Sequence, residues 1–444
     1  MVRLASFAHH ESARKDISHL ERRNTTDVNP WRFIVTLRRW FTLAVIVVFS
    51  FVSAGCRGSV KDENRIIMWL VGSEAQARTI MELGEVFSRE TGVKVLCEAI
   101  SWGDAHSKYL ISIAGEVTPD IGTMGLTWGM EFGALGAMVD LKEKFPEDIA
   151  QIEKKIFPGL LEATQLGSKV YGIPFDFSEQ IMYYRTDMID QPPRTWAELT
   201  ATIRKLKSEN KGMLLDWGSL EWIGYAPFLW QAGGDFYNSV YTKVTLDTAE
   251  ASMALDYFAS LYNDGVPKTM VPLEQGMRTG DYPLAISGNW KIISLTVGAP
   301  EIKGKWSIAM LPKGPTGKMT TFVGGRVMGV FAQSRMKTES WQFIKFLFRP
   351  ENQIKIYEAS LDTEDAYLPP NMDTWKSLPM DAEFKQVLQK QAKDAKGPPP
   401  VLTWDSSTRF VNEAIQMVIL KGAESHTQLK KATGSMQSEL EGKL

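Results

Sequence analysis

From Arg65 to Gly125 the chain alternates between two hydrophobic periods, and this constrains its fold more than any other feature. "RIIMWLVG" (65–72) is apolar, short and ended by glycine, as a buried strand is. "EAQARTIMELGEVFSRETG" follows, with Ile80, Leu83, Val86 and Phe87 at helical spacing and Gly92 as its stop. "VKVLCEAI" reads as a second strand, "DAHSKYLISIAGEVTPDI" as a second helix, and "DIGTMG" as a third strand. Strand–helix–strand–helix–strand predicts an α/β lobe on a mostly parallel sheet. Ligands of such sheets meet the carboxyl ends of the strands. Those ends carry Gly72-Ser73-Glu74, Ser101-Trp102-Gly103-Asp104 and Thr123-Met124-Gly125.

The chain of 444 residues has room for a second lobe. Its formal charge of −2 shows none of the basic excess of a nucleic-acid binder. Catalytic signatures are sparse. Of five histidines only His106 and His426 follow residue 55, with no HExxH, GxSxG or P-loop and no cysteine cluster. No cofactor or metal is implied. A pair of catalytic carboxylates can lie anywhere in a sequence, so a glycosidase-type enzyme stays open as an alternative.

Before the first strand lies a different kind of segment. Trp40–Ala54 is apolar, preceded by Arg38 and Arg39 and followed by small residues and Cys56. It is shorter than the roughly 20 residues of a spanning helix. A basic region, an apolar run and small residues describe an export signal, the alternative being an uncleaved anchor helix with an incidental cysteine. The cysteine after the small residues resembles the lipobox of bacterial lipoproteins, with Ser53 where leucine is usual. The resemblance implies cleavage before Cys56, acylation of that residue, and a protein held to the membrane by lipid, facing the periplasm or the cell exterior. Residues 1–55 are then extension and signal, and 56–61 a tether. Cys97 is left without a partner and reads as a small core residue.

The rest of the chain carries its motifs in a distinctive order: "VFSRETGVKV", "TPDI", "GALGAMVDL", "VYGIPFDFSEQIMYYRTDMI", "QPPRTWAELTATIRKL", "WQAGGDF", "ALDYFASLYNDG", "GDYPLAISGNW", "MLPKGP" and "WQFIKFLFRPENQ". Each has a structural meaning. Thr195 and Glu198 spell a capping box. Leu255, Phe258, Ala259 and Tyr262 form one helix face closed by Gly265. Trp341, Ile344 and Phe348 form another. In sequence, these motifs resemble the carbohydrate-type extracellular solute-binding proteins of ABC importers, the group that includes maltose-binding protein.

That resemblance implies two α/β lobes joined by a hinge, with crossings near Asp176–Gln180, Tyr282–Leu284 and Val323–Met328. The N-terminal lobe would comprise 62–176 plus 284–324, and the C-terminal lobe 180–281 plus 328–444. It implies a non-enzymatic, monomeric protein that captures a sugar between the lobes and delivers it to permease subunits. A ligand-sensing accessory protein is the other alternative. Sugars stack their C–H faces on aromatic rings and bond their hydroxyls to polar groups. Aromatics beside polar groups in loops are therefore the expected ligand residues: Trp102 with Asp104, Trp128 with Glu131, Asp176 after Phe175, Trp222 after Glu221, Trp290, Arg326 after Gly324 and Gly325, and Trp404 with Asp405. Arg326 would pair either with an anionic group of the ligand or with Asp176.

Overall fold

The computed structural model describes residues 64–442 apart from 158–159, 161–163 and 364–366. The extension, the apolar run and Cys56 lie outside the described residues.

The opening alternation folds as expected. Strand β1 (Arg65–Val71) pairs in parallel with β2 (Lys94–Ile100) and β3 (Ile121–Gly125), and helices α1 (Glu74–Thr91) and α2 (Trp102–Ala114) make the crossovers. The Ser73 hydroxyl caps α1 by accepting from the amides of Ala75 and Gln76. A short helix α3 (Trp128–Ala134) follows β3. The same sheet takes β4 (Ile173–Pro174) and a strand from far along the chain, antiparallel to β3. Ile66, Met68 and Leu70 are fully buried on it.

The second sheet is built on β5 (Ser178–Arg185), which pairs antiparallel with β7 (Leu284–Gly288), β8 (Trp306–Ala309) and β9 (Thr321–Gly324). Strand β6 (Met213–Leu215) joins β7 in parallel, and β11 (Ala395–Lys396) joins β9. The late strand of the first sheet is β10 (Arg326–Val330). Helices α4 (Trp196–Ser208), α5 (Trp222–Gln231), α6 (Ala249–Asp264), α10 (Trp404–Lys421) and α11 (Ser425–Leu440) belong to this half, and their apolar faces form one core. Thr195 caps α4, while Glu198 reaches back to the Arg194 amide, one residue beyond the box position. Leu255, Phe258 and Tyr262 are buried, and Ala259 is half-buried.

The partition differs from the expected one. The expected partition places 284–324 in the first lobe, yet β7, β8 and β9 all lie on the second sheet. Leu284 pairs with both Met213 and Tyr184, so the chain makes no crossing there. Conversely, helix α8 (Lys337–Leu347) packs on the first half: Phe343 and Phe346 stand 5.1 and 5.4 Å from Phe87 of α1. The cause is the tight passage Gly324-Gly325-Arg326. The chain leaves the second sheet at Gly324 and joins the first at Arg326. Gly325 makes this possible at φ 133°, where a Cβ would sit 2.6 Å from the Asp176 carbonyl. The chain crosses back after Trp375, whose ring meets Phe157 and Phe177, and before Phe384, whose ring meets Trp306.

At the first crossing β5 carries Glu179, fully buried, with no hydrogen-bond partner for either carboxylate oxygen among the described residues. Burial raises its carboxyl well above the usual range. Between the ordinary value of about 4.3 and this raised value the native state holds more protons than the unfolded chain. Stability therefore falls as pH rises through that window. Glu179→Gln removes the titration while keeping the shape. The stability difference between variant and wild type is expected to grow in favour of the variant, by up to ~1.4 kcal/mol per pH unit. Urea unfolding of both proteins between about pH 5 and pH 8 checks this, and parallel pH profiles would show that Glu179 ionises normally.

Candidate functional site

The two halves enclose a cavity of 730 Å³ between the ends of β1 and β3 on one side and the start of α5, Trp290 and the start of α10 on the other. This lies within the roughly 300–1,000 Å³ of small-molecule sites. The carboxyl ends of β1 and β3 open on it, as parallel-sheet geometry requires.

Of the expected ligand residues, Trp102, Trp128, Asp176, Trp222, Trp290, Arg326 and Trp404 line the cavity, and so does Asp405 beside Trp404. Asp104 does not. It sits in the first turn of α2 and accepts a 2.6 Å bond from the Ser101 hydroxyl, which keeps it at the helix end. Glu131 is also outside the lining, held 2.8 Å from His106 Nε2. That bond raises the His106 pKa, against the effect of burial. Glu221 precedes α5 without a side-chain cap bond. Phe175 is buried, and its ring centroid lies 4.9 Å from the Arg326 guanidinium carbon.

The aromatic residues play different parts. Trp102 is 52% exposed and meets Trp128 edge-on at 5.9 Å. Trp290 is half-buried against Trp217, with centroids 4.5 Å apart. Gly288 lets the Trp290 ring fold back, since a Cβ there would lie 2.0 Å from it. Trp404, by contrast, is only 1% exposed. It is wedged against Trp222 at 4.8 Å and Phe236 at 4.9 Å, so it is first a core residue that backs Trp222.

Arg326 resolves toward its partner in the protein. Its Nε donates to Asp176 Oδ2 at 2.7 Å, and Nη2 lies 2.5 Å from the same oxygen. Nη1 donates to the Val71 carbonyl and, at 2.7 Å, to Gln76 Oε1. The Arg326 amide donates to Asp176 Oδ1 at 2.6 Å. Both side chains are about nine-tenths buried or more. The pair ties the Gly324–Arg326 passage to α1 and lines the cavity.

Sequence reasoning missed several lining residues. Trp217 stands just past the end of β6, a strand-end aromatic that the same rule could have found. Gln76 lies in the first turn of α1 and reads as helix surface. Phe322 lies within β9 and reads as core. Thr127 gains its place through a contact across the cavity: its hydroxyl lies 3.1 and 2.9 Å from the two Asp405 oxygens. Burial raises the Asp405 carboxyl, the Thr127 bond opposes this, Glu131 adds to it and His106 opposes it.

Among the described residues no helix is long and apolar enough to cross a membrane. The sequence pattern of the bacterial extracellular solute-binding proteins matches residues 82–386. A binding protein of Brucella abortus (strain 2308) is 24% identical over 430 residues, covering 91% of this chain and 99% of its own length. Among solved structures, the sugar-binding protein MalE of Xanthomonas citri superposes with a TM-score of 0.76 at 22% identity, over 85% of this chain and 98% of that one. An ABC transporter solute-binding protein of Thermotoga lettingae, bound to α-D-tagatose, gives 0.73 at 21% identity, over 85% of this chain and 100% of that one. These likenesses extend over both halves and show a shared two-lobe fold. With the family pattern covering more than half of its length, the chain belongs to the bacterial extracellular solute-binding proteins.

Proposed function

We propose that the cleft captures a sugar or short oligosaccharide and that the protein, held at the membrane through a lipid on Cys56, delivers it as a monomer to the permease of an ABC importer. The observation that carries this reading is the ring of tryptophans around the cavity, Trp102, Trp128, Trp217, Trp222 and Trp290, interrupted by the polar side chains of Gln76, Thr127 and Asp405. Flat apolar faces suit the C–H faces of pyranose rings, and the interspersed polar groups suit their hydroxyls. The sugar-binding MalE and the tagatose-bound protein support the same class of ligand. The proposed lobes are 64–176 with 326–378, and 178–324 with 380–442. Closure about the three crossings would bring both onto the ligand.

Trp102 is the most exposed of the rings and the one a ligand would cover. In a calorimetric titration with the best sugar from a broad thermal-shift panel, Trp102→Ala is expected to weaken binding by ~1–3 kcal/mol. Its unfolding free energy should change by less than about 0.5 kcal/mol. Wild-type affinity in the variant would remove Trp102 from the site. A panel in which no carbohydrate binds would overturn the reading as a whole.

A further inference from the structure

The charged residues lining the cavity are Asp176, Arg326 and Asp405. The first two neutralise each other. Arg326 commits Nε and Nη2 to Asp176 and Nη1 to Val71 and Gln76, and it is 5% exposed. Four of its five N–H groups are thus committed inside the protein, which leaves little for an incoming anion. Asp405 has no cationic partner within ion-pair distance among the described residues; its bonds come from the Thr127 hydroxyl. The titratable groups facing it from the other half are Glu131 and His106, which bond each other. The cavity thus carries one uncompensated carboxylate and no available cation.

Asp405 is exposed, so its charge is open to a ligand in the cleft, and it is screened less once a ligand displaces water between it and the ringed wall. A carboxylate or phosphate on a ligand would be desolvated beside Asp405 with nothing to pair it. A hydroxyl or ammonium group would instead donate to the lone pairs that Thr127 leaves open. A cation would also be favoured by the faces of the surrounding tryptophans. We propose that the cleft takes uncharged or basic sugars and rejects acidic ones, and that Asp405 is the residue that sets this preference. The inference rests on the carbohydrate reading above and narrows its ligand class.

The test is calorimetric titration of the full lobes, wild type and Asp405→Asn, at neutral pH and low salt. The probes are glucose, galactose and mannose and the α- and β-1,4-linked glucose oligomers of two to four units. Each is offered with its 2-amino and its uronic acid counterpart. Asparagine keeps an acceptor for Thr127 and removes the charge. Asp405→Ser serves as the uncharged variant if Asp405→Asn fails to fold by circular dichroism. In every series that binds, the uronate is expected to bind more weakly than its neutral parent by about fivefold or more, and that ratio should shrink at least about threefold in the variant. A smaller ratio in the wild type, or one that the variant leaves in place, overturns the proposal. If no member of any series binds, the carbohydrate reading fails and this inference fails with it, an outcome distinct from binding without charge selection.

Discussion

Replacing Arg326 by alanine is expected to lower the unfolding free energy by ~3–5 kcal/mol, the usual cost of removing one partner from a buried ion pair. Three groups lose the guanidinium together: Asp176 Oδ2, the Val71 carbonyl and the Gln76 amide oxygen. Asp176 is 6% exposed, so water does not replace the guanidinium freely. The cost should arise mainly from the charge left behind. Combining Arg326→Met with Asp176→Asn, which keeps the stem, the acceptor for the Arg326 amide and no net charge, is therefore expected to be less destabilising than Arg326→Ala alone. Urea unfolding of the three proteins measures both effects. A loss under about 1 kcal/mol for Arg326→Ala would show that the pair contributes no more than an exposed one.

Trp404→Ala is the second large effect, ~3–5 kcal/mol of stability, because the indole fills space between Trp222 and Phe236 at 1% exposure. Loss of ligand affinity should accompany it through Trp222, whose ring would lose its backing. Trp102→Ala should show the reverse order of effects, with affinity lost and stability kept. Chemical unfolding together with titration of both variants separates the two roles. Trp404→Ala with wild-type stability would mean that the helix start repacks around the cavity, contrary to the close ring contacts.

How much of this was legible beforehand depended on the range over which each signal acts. The strand–helix alternation of 65–125 folded as the periodicity indicated, because local propensity and one-sided burial agree there. Trp102 and Trp128 line the cavity because they follow β2 and β3, and a parallel sheet opens its carboxyl ends on the cleft whatever the details. Asp104 failed because an acidic residue in the first turn of a helix has a local partner, here Ser101, that competes with a place in the cavity. The lobe partition failed at β7 to β9 because nothing local to a short apolar strand states which sheet it joins. That choice is made by pairing with β5 and β6, which are far away in sequence.

By itself, the sequence determined the α/β class, the family and the positions of most cavity tryptophans, since periodicity, caps and ordered motifs are properties of neighbouring residues. Tertiary structure alone decided that Arg326 is bound to Asp176 and unavailable to a ligand, that Trp404 is packed and Trp102 open, and that Asp405 meets Thr127 across the cleft. Those outcomes depend on burial and on partners as many as 278 residues apart, which only the closed set of long-range contacts can specify.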